Sequence, residues 1–309
     1  MVGYINPTLL LQQASFEPSL EMEKFLYHYG CHALSTQKCC GVWTAKSGVF
    51  DEGRFLICGA TEAFVLRVEP DRGQSLFVVP MDSGAPLILN GYEIPRDGFG
   101  VSSSEIPLIL HSRGATSFLL AWSSPVLPKA LKDRGPVIFL SGPARPEFSL
   151  DSQESLISKK IGLFVGELAT AVSLSLRASN PDLSVKSPLR LRNRMSLVLA
   201  LWNHFATTID SASDLPDIAH RNGVCQRTLE YAFRDIVGTT PIGFVKTLRL
   251  HRARRMITGG EVATVKEGVT KCGMFHFGRF SLDYRAQFGR HPRQDLRDSR
   301  KPSVRSMAA

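Results

Sequence analysis

Between Cys31 and Trp122 the apolar residues come in short bursts: Arg54-Phe-Leu-Ile-Cys58, Ala63-Phe-Val-Leu-Arg-Val68, Ser75-Leu-Phe-Val-Val79, Ala85-Pro-Leu-Ile-Leu89 and Ser117-Phe-Leu-Leu-Ala-Trp122. Turn formers separate them, at Pro70-Asp71-Arg72-Gly73, Asn90-Gly91, Pro95-Arg96-Asp97-Gly98 and Gly114. Short strands with turns at short intervals predict an antiparallel sandwich or small barrel. The pattern changes at Asp151. Asp151 and Glu154 have the spacing of a capping box, and Ile157, Ile161, Phe164, Leu168 and Val172 then fall on one stripe of an amphipathic helix. Gly162 and Gly166 on this helix are close-packing positions. Asn180-Pro181 ends it, and the polar stretch from Pro181 to Pro188 reads as a linker. From Arg190 onward the spacing is helical, punctuated by Gly223, Gly238, Gly259-Gly260, Gly273 and Gly289, which predicts six or seven helices. The tail after Arg297 is polar and basic, the composition of a frayed end.

The chain therefore reads as α+β: a β-rich cupin-like or sandwich domain over 1–148, an amphipathic helix and linker over 149–188, an all-α domain over 189–298 and a basic tail over 299–309. Its 309 residues suit two domains, and 43% hydrophobic with 21% charged residues is an ordinary globular composition. Charge divides the two halves. Residues 1–188 hold 16 Lys and Arg against 18 Asp and Glu, whereas residues 189–309 hold 21 against 10. An excess confined to one part of the chain points to a polyanion partner, nucleic acid first and an acidic membrane surface second. No apolar run approaches the length of a membrane span and the start lacks a basic signal-peptide region, so a cytoplasmic protein is expected. In that compartment Cys31, Cys39, Cys40, Cys58, Cys225 and Cys272, which have no framework spacing, stay reduced and mostly buried.

Two segments of the basic half have the layout of a helix-turn-helix unit. In the first, Leu215 to Arg234, Ala219 is the small residue needed where two helices cross, Gly223 tolerates the positive φ of the turn, and Val224 plugs the corner. Leu229, Ala232, Phe233 and Ile236 lie on one side of the second helix, leaving Arg227, Glu230, Tyr231 and Arg234 on the other. Taken alone, such a pair is also an ordinary amphipathic hairpin with solvated charges. A second copy follows from Thr264: Gly273 at the turn, Phe277, Phe280 and Tyr284 inward, and Ser281, Leu282 and Arg285 outward with Arg279 at the flank. Between the copies, Thr240-Pro241 starts a helix with proline at its first position. Phe244 and Leu248 on one side of it, with Leu250, Ala253 and Ile257 on another, suit a rod packed against a small core at each end. Such a rod sets two recognition helices for major-groove segments about 34 Å apart.

Residues 200–297 resemble the DNA-binding domain of the AraC/XylS family of transcription regulators. The residues carrying the likeness are Asp217-Ile-Ala219, Leu229, Phe233-Arg234, Gly238-Thr-Thr-Pro241, Phe244-Val245, Arg249-Leu250, Ala253-Arg254, Gly273, Arg279-Phe280, Tyr284-Arg285, Phe288-Gly289 and Pro292. The resemblance implies that Arg227, Glu230, Tyr231 and Arg234 reach base edges or phosphates of double-stranded DNA from the first unit, and His276, Arg279, Leu282 and Arg285 from the second. It also implies activation through RNA polymerase and no cofactor. The second unit departs from the family in Gly268-Val269 and Met274: the glycine weakens an exposed helix and the valine crowds the crossing. Leu282 offers at most an apolar contact, for example to a thymine methyl, so this unit is expected to read sequence less strictly. Cys225 is a weaker cap than the usual Ser or Thr. Arg249, Arg252, Arg254 and Arg255 are expected in salt bridges or on phosphates, giving affinity without specificity.

In the resembling family the other half senses an effector or dimerises, and residues 31–122 are distantly similar to its cupin-like sensor. A metal-dependent cupin needs clustered His and Glu; this half has His28, His32 and His111, with no His-x-His pair. His28 and His32 would share a face only on a helix. Cys39-Cys40 could suggest a methyl-accepting repair regulator, but the cysteine spacing is irregular. Three readings stay open: an effector-sensing regulator, a regulator of the same class controlled by abundance or a protein partner, and an enzyme with a DNA-targeting module. The third has no catalytic constellation to support it. The helix over 151–176 serves either as a homodimer contact or as packing on its own β domain.

Overall fold

The computed structural model describes residues 14–16, 20–35, 42–69, 71, 73–102, 106–124, 137–141, 154–177, 188–207 and 215–300. The cap at Asp151, the linker from Pro181, Cys39, Cys40 and the tail beyond Arg300 lie outside them. The chain divides into two compact units, one holding the strands and the long helix, the other the helices from Ser196 onward apart from Asp235–Gly238.

The first unit has two antiparallel sheets. The larger contains β1 (Ala14–Phe16), β3 (Trp43–Phe50), β4 (Gly53–Ala60), β6 (Ser75–Pro80), β9 (Gly98–Ser102), β11 (Thr116–Ser123) and β12 (Ile138–Ser141), in the order β1-β3-β4-β11-β6-β9-β12. The smaller contains β2 (Cys31–Ser35), β5 (Phe64–Val68), β7 (Leu87–Leu89), β8 (Tyr92–Glu93) and β10 (Leu108–Ser112), in the order β2-β5-β10-β7-β8. A short helix α1 (Leu20–Tyr27) precedes β2.

Central strands of the larger sheet are buried on both faces. Along β4, Leu56 and Cys58 point between the sheets with Leu76, Val78, Phe118, Leu120 and Trp122. Phe55 and Ile57 point the other way, with Phe77, Val79, Leu119 and Ala121. Alternation in a strand becomes visible as a polar-apolar pattern only when one face is wet, so these strands read as unbroken apolar bursts. The second face is covered by helix α2 (Glu154–Arg177). Its stripe Ile157, Ile161, Phe164, Leu168 and Val172 is almost fully buried there, so the helix packs on its own β unit. Gly162 makes this possible, since a Cβ would lie 3.2 Å from that of Phe50, but Gly166 is exposed and meets nothing, against expectation.

Between the sheets Trp43, Phe64 and Phe118 form an aromatic column with centroid separations of 4.9 and 5.4 Å. Asn90-Gly91 is the expected tight turn, both residues at positive φ, and the Asn90 Oδ1 accepts from the Ile109 N–H at 2.8 Å. His28 follows α1 in a turn and His32 lies in β2, so the two share no helical face. Cys31 and Cys58 are buried, and burial raises both thiol pKa values.

From Ser196 onward the described residues form helices: α3 (Pro188–Thr207, its later part), α4 (Leu215–Arg221), α5 (Gln226–Ile236), α6 (Pro241–Thr258), α7 (Val265–Lys271), α8 (Phe277–Phe288) and α9 (Pro292–Ser299). Thr240 caps α6 by accepting from the Gly243 N–H, with Pro241 at the first position as expected. One side of α6 brings Phe244 against Trp202 and Phe233, at 4.7 and 5.4 Å. Further along, His251 meets Phe288 at 5.1 Å, and α6 packs against α7, α8 and α9. No helix among the described residues is long and apolar enough to cross a membrane.

Candidate nucleic-acid interface

Both helix-turn-helix units turn their corners in the same way. In the first, Gly223 sits at φ +67°; its N–H donates to the His220 carbonyl at 2.9 Å and the Val224 N–H to that of Ala219 at 3.0 Å. In the second, Gly273 sits at φ +65°, its N–H donates to Thr270 at 2.9 Å and the Met274 N–H to Val269 at 3.1 Å. This is a Schellman turn, in which a left-handed residue returns two N–H groups to the last carbonyls of a helix. It explains why glycines stand 50 residues apart in the sequence. Ala219 and Val269 hold equivalent places, both buried.

Gly268 stands in a different environment from the one expected. The residue is buried, not on an exposed face, and a Cβ would meet Val262 and Ile257 at 3.4 and 3.5 Å, ordinary contact. Thr264 caps α7 by accepting from the Glu267 N–H at 3.1 Å, and Glu267 returns a bond to the Ala263 N–H. The bond from Lys271, first, and that from Ala263 hold the Glu267 carboxyl below its usual pKa. Cys225, before α5, is exposed; its Sγ lies 3.2 Å from the Thr228 hydroxyl, which with the Thr228 backbone lowers the thiol pKa.

On α5, Leu229, Ala232, Phe233 and Ile236 are buried, while Arg227, Tyr231 and Arg234 are exposed and Glu230 half-buried. These side chains are paired along the helix. The Arg227 Nε and Nη2 donate to the Tyr231 hydroxyl at 3.1 and 2.9 Å, and Gln226 Nε2 donates to Glu230 Oε1 at 3.1 Å. Together with Arg234 they line a shallow polar cleft. Gln226 is the member the sequence reading missed, although its spacing to Glu230 is the ordinary i, i+4 signal.

On α8, Phe280 and Tyr284 are buried and Arg279, Leu282 and Arg285 are exposed, as is His276 just before the helix. Phe277, expected inward, is 39% exposed. It is the first residue of α8, where no preceding turn covers it, and the Lys266 ammonium stands 5.8 Å from its ring. Asp283, also missed, receives Arg279 at 3.3 Å and Lys246 of α6 at 2.7 Å. Beneath this surface Asp295 of α9 accepts from the Tyr284 hydroxyl at 2.7 Å, with Arg290 and Arg254 at 3.2 and 3.7 Å. The Arg254 guanidinium also covers the Phe288 ring at 4.6 Å, so this arginine is spent on structure. Burial lowers the pKa of Arg249.

Residues 218–298 match the family model described as a helix-turn-helix domain. The probable thc operon regulatory protein of Rhodococcus erythropolis is 37% identical over 84 residues, 26% of this chain and 25% of that protein. The XylDLEGF operon transcriptional activator 1 of Pseudomonas putida is 37% identical over 73 residues, 23% of this chain and 22% of that protein. Residues 218–298 are thus a helix-turn-helix domain similar to those of these regulators. The transcriptional activator RhaS of Escherichia coli (strain SE11) is 31% identical over 109 residues, 35% of this chain and 37% of that protein. The chain thus matches 22% to 37% of the length of these relatives, and each of them is named as a regulator or activator. Among solved structures, an AraC-type regulator from Chromobacterium violaceum is 27% identical, with 35% of this chain and 96% of that one covered and a TM-score of 0.32. ToxT from Vibrio cholerae is 10% identical, with 93% and 98% covered and a TM-score of 0.31.

Proposed function

We propose that this protein is a sequence-specific DNA-binding transcription regulator of the activating kind, working in the cytoplasm at the nucleoid and acting on RNA polymerase. The observation that carries the reading is the pair of helix-turn-helix units on either side of one buried helix, each presenting arginines outward from the basic part of the chain. In this reading Arg227, Glu230, Tyr231 and Arg234 contact the first major-groove segment, and His276, Arg279, Leu282 and Arg285 the next. Arginine pairs bidentately with guanine, Glu230 accepts from cytosine N4, and the Tyr231 hydroxyl, already accepting from Arg227, donates its proton to a phosphate.

Substitution of two arginines tests the assignment. Arg227→Ala should cost about 1 to 3 kcal/mol on the selected site and relax base preference, whereas Arg252→Ala should weaken all sequences alike. Titrations against specific and random duplexes read the difference; equal losses for both variants on both duplexes would defeat it.

For control of the β unit, the aromatic column between the sheets favours a protein contact over a small effector. That space is taken up by Trp43, Phe64 and Phe118, all nearly inaccessible. Outside, Leu163 and Leu174 of α2 and Val49 of β3 are exposed and line one groove, a surface suited to a second copy of the chain or to another protein.

A further inference from the structure

The outward faces of the two recognition helices differ in chemistry. At about 100° per residue, the direction opposite the buried residues of α5 falls on Arg227, between Arg234 and Tyr231. The same construction on α8 falls on Leu282. That leucine is 67% exposed, and its neighbours along the face are Gly278, where a Cβ would meet nothing within 4 Å, and Ala286, half-buried. Arg279 and Arg285 flank this small, apolar ridge at about 60° on either side. Arg279 is drawn off the ridge by Asp283, which Lys246 holds in turn.

Building on the DNA-binding reading above, we propose that α8 reads thymine through its C5-methyl group, with Leu282 as the contact, and that the second half of the binding site is a thymine-bearing segment recognised without a central hydrogen bond. Gly278 and Ala286 put no long side chain beside Leu282, so the helix can seat deeply enough for the leucine to reach the base edge. The flanking arginines stand where the groove walls carry phosphates. The methyl is the one apolar group a base pair shows in the major groove, so an apolar reader selects T·A from the other pairs. The operator is then chemically unequal: hydrogen-bonded at α5, methyl-packed at α8.

The full-length chain, used to select duplexes from a random-sequence pool, supplies the site, which is then resynthesised with deoxyuridine in place of thymine in each half separately. Removing one buried methyl should weaken binding about fourfold. The effect is expected in one half only, and the Leu282→Ala protein should bind the thymine and deoxyuridine versions equally while keeping the wild-type dependence on salt. Leu282 is exposed, so this variant keeps its fold, and Leu282→Gln provides a second that replaces the methyl contact with amide chemistry. Equal wild-type affinity for thymine and deoxyuridine in both halves, or a deoxyuridine penalty that persists in Leu282→Ala, would overturn the inference and leave the DNA-binding reading standing. Recovery of no duplex sequence at all would overturn that reading, and this inference with it.

Discussion

Loss of Asp295 should be felt strongly in the helical unit. Its side chain is 3% exposed, and it accepts from the Tyr284 hydroxyl while balancing Arg290 and Arg254. Asp295→Ala leaves a fully buried tyrosine hydroxyl without this acceptor, which costs about 1 to 3 kcal/mol. Arg290 is half exposed and keeps Asp298, so water and that carboxylate take up its charge cheaply. Arg254, with a side chain 14% exposed, loses the Asp295 carboxylate where little water reaches it and keeps its other contacts, the Phe288 ring among them. Together the losses fall in the range of about 3 to 5 kcal/mol for breaking one partner of a buried pair. Against a total of about 5 to 15 kcal/mol that is a large share. Urea unfolding of the full chain, followed by far-UV circular dichroism, should show the helical transition about 1.5 to 2.5 M lower at a slope of about 2 kcal/mol per M. Tyr284→Phe removes the group that needs the acceptor, so the double variant should be less damaged than the two single losses added, by about 1 to 2 kcal/mol. An Asp295→Ala midpoint within experimental error of wild type, or strict additivity with Tyr284→Phe, would refute the reasoning.

Two further outcomes follow from the same contacts. Gly268→Ala should stabilise the helical unit by about 0.5 to 1 kcal/mol, because alanine is the better helix former and its methyl meets only ordinary contacts; a lower urea midpoint would contradict this. His111 is buried in β10, and burial, with Arg113 nearby, lowers its pKa from 6.5 to about 4. The unfolded chain takes up this proton first, so the stabilisation is complete above about pH 6.5 and is lost as pH falls towards 4, by about 3 kcal/mol in all. His111→Leu should flatten that part of the acid slope when urea midpoints of the tryptophan signal are compared across the window, and an unchanged slope would count against it.

The helical half was largely legible in the sequence because each of its decisive features is local. A left-handed glycine, a threonine before proline and a stripe at helical spacing each act within one or two turns of chain, so Gly223, Gly273, Thr240 and the buried face of α5 could be placed from residue order alone. The errors there were of environment. Gly268 was given an exposed site and Phe277 a buried one, since what covers a residue at a helix start or crossing depends on distant elements. The β half was less legible for a related reason. Five bursts marked strands correctly, but β3, with Lys46, Ser47 and Gly48 in its middle, and β10, ending in His111-Ser112, carry polar residues that are buried in the fold and look like loop in the sequence. The i, i+4 partners Gln226 and Asp283 had a readable spacing, whereas the tie from Asp283 to Lys246 joins two helices and had none.

Because α6 supplies side chains to the cores at both of its ends, it works like a ruler with fixed jaws. One inserted residue within it would swing the far unit by about 100° and advance it about 1.5 Å, which in the proposed DNA-binding reading carries α8 out of phase with the groove that α5 enters. Length change is therefore closed to this helix as a route to new promoters. On the proposed DNA-binding reading, drift in target preference comes through the outward residues of α5 and α8, one base pair at a time.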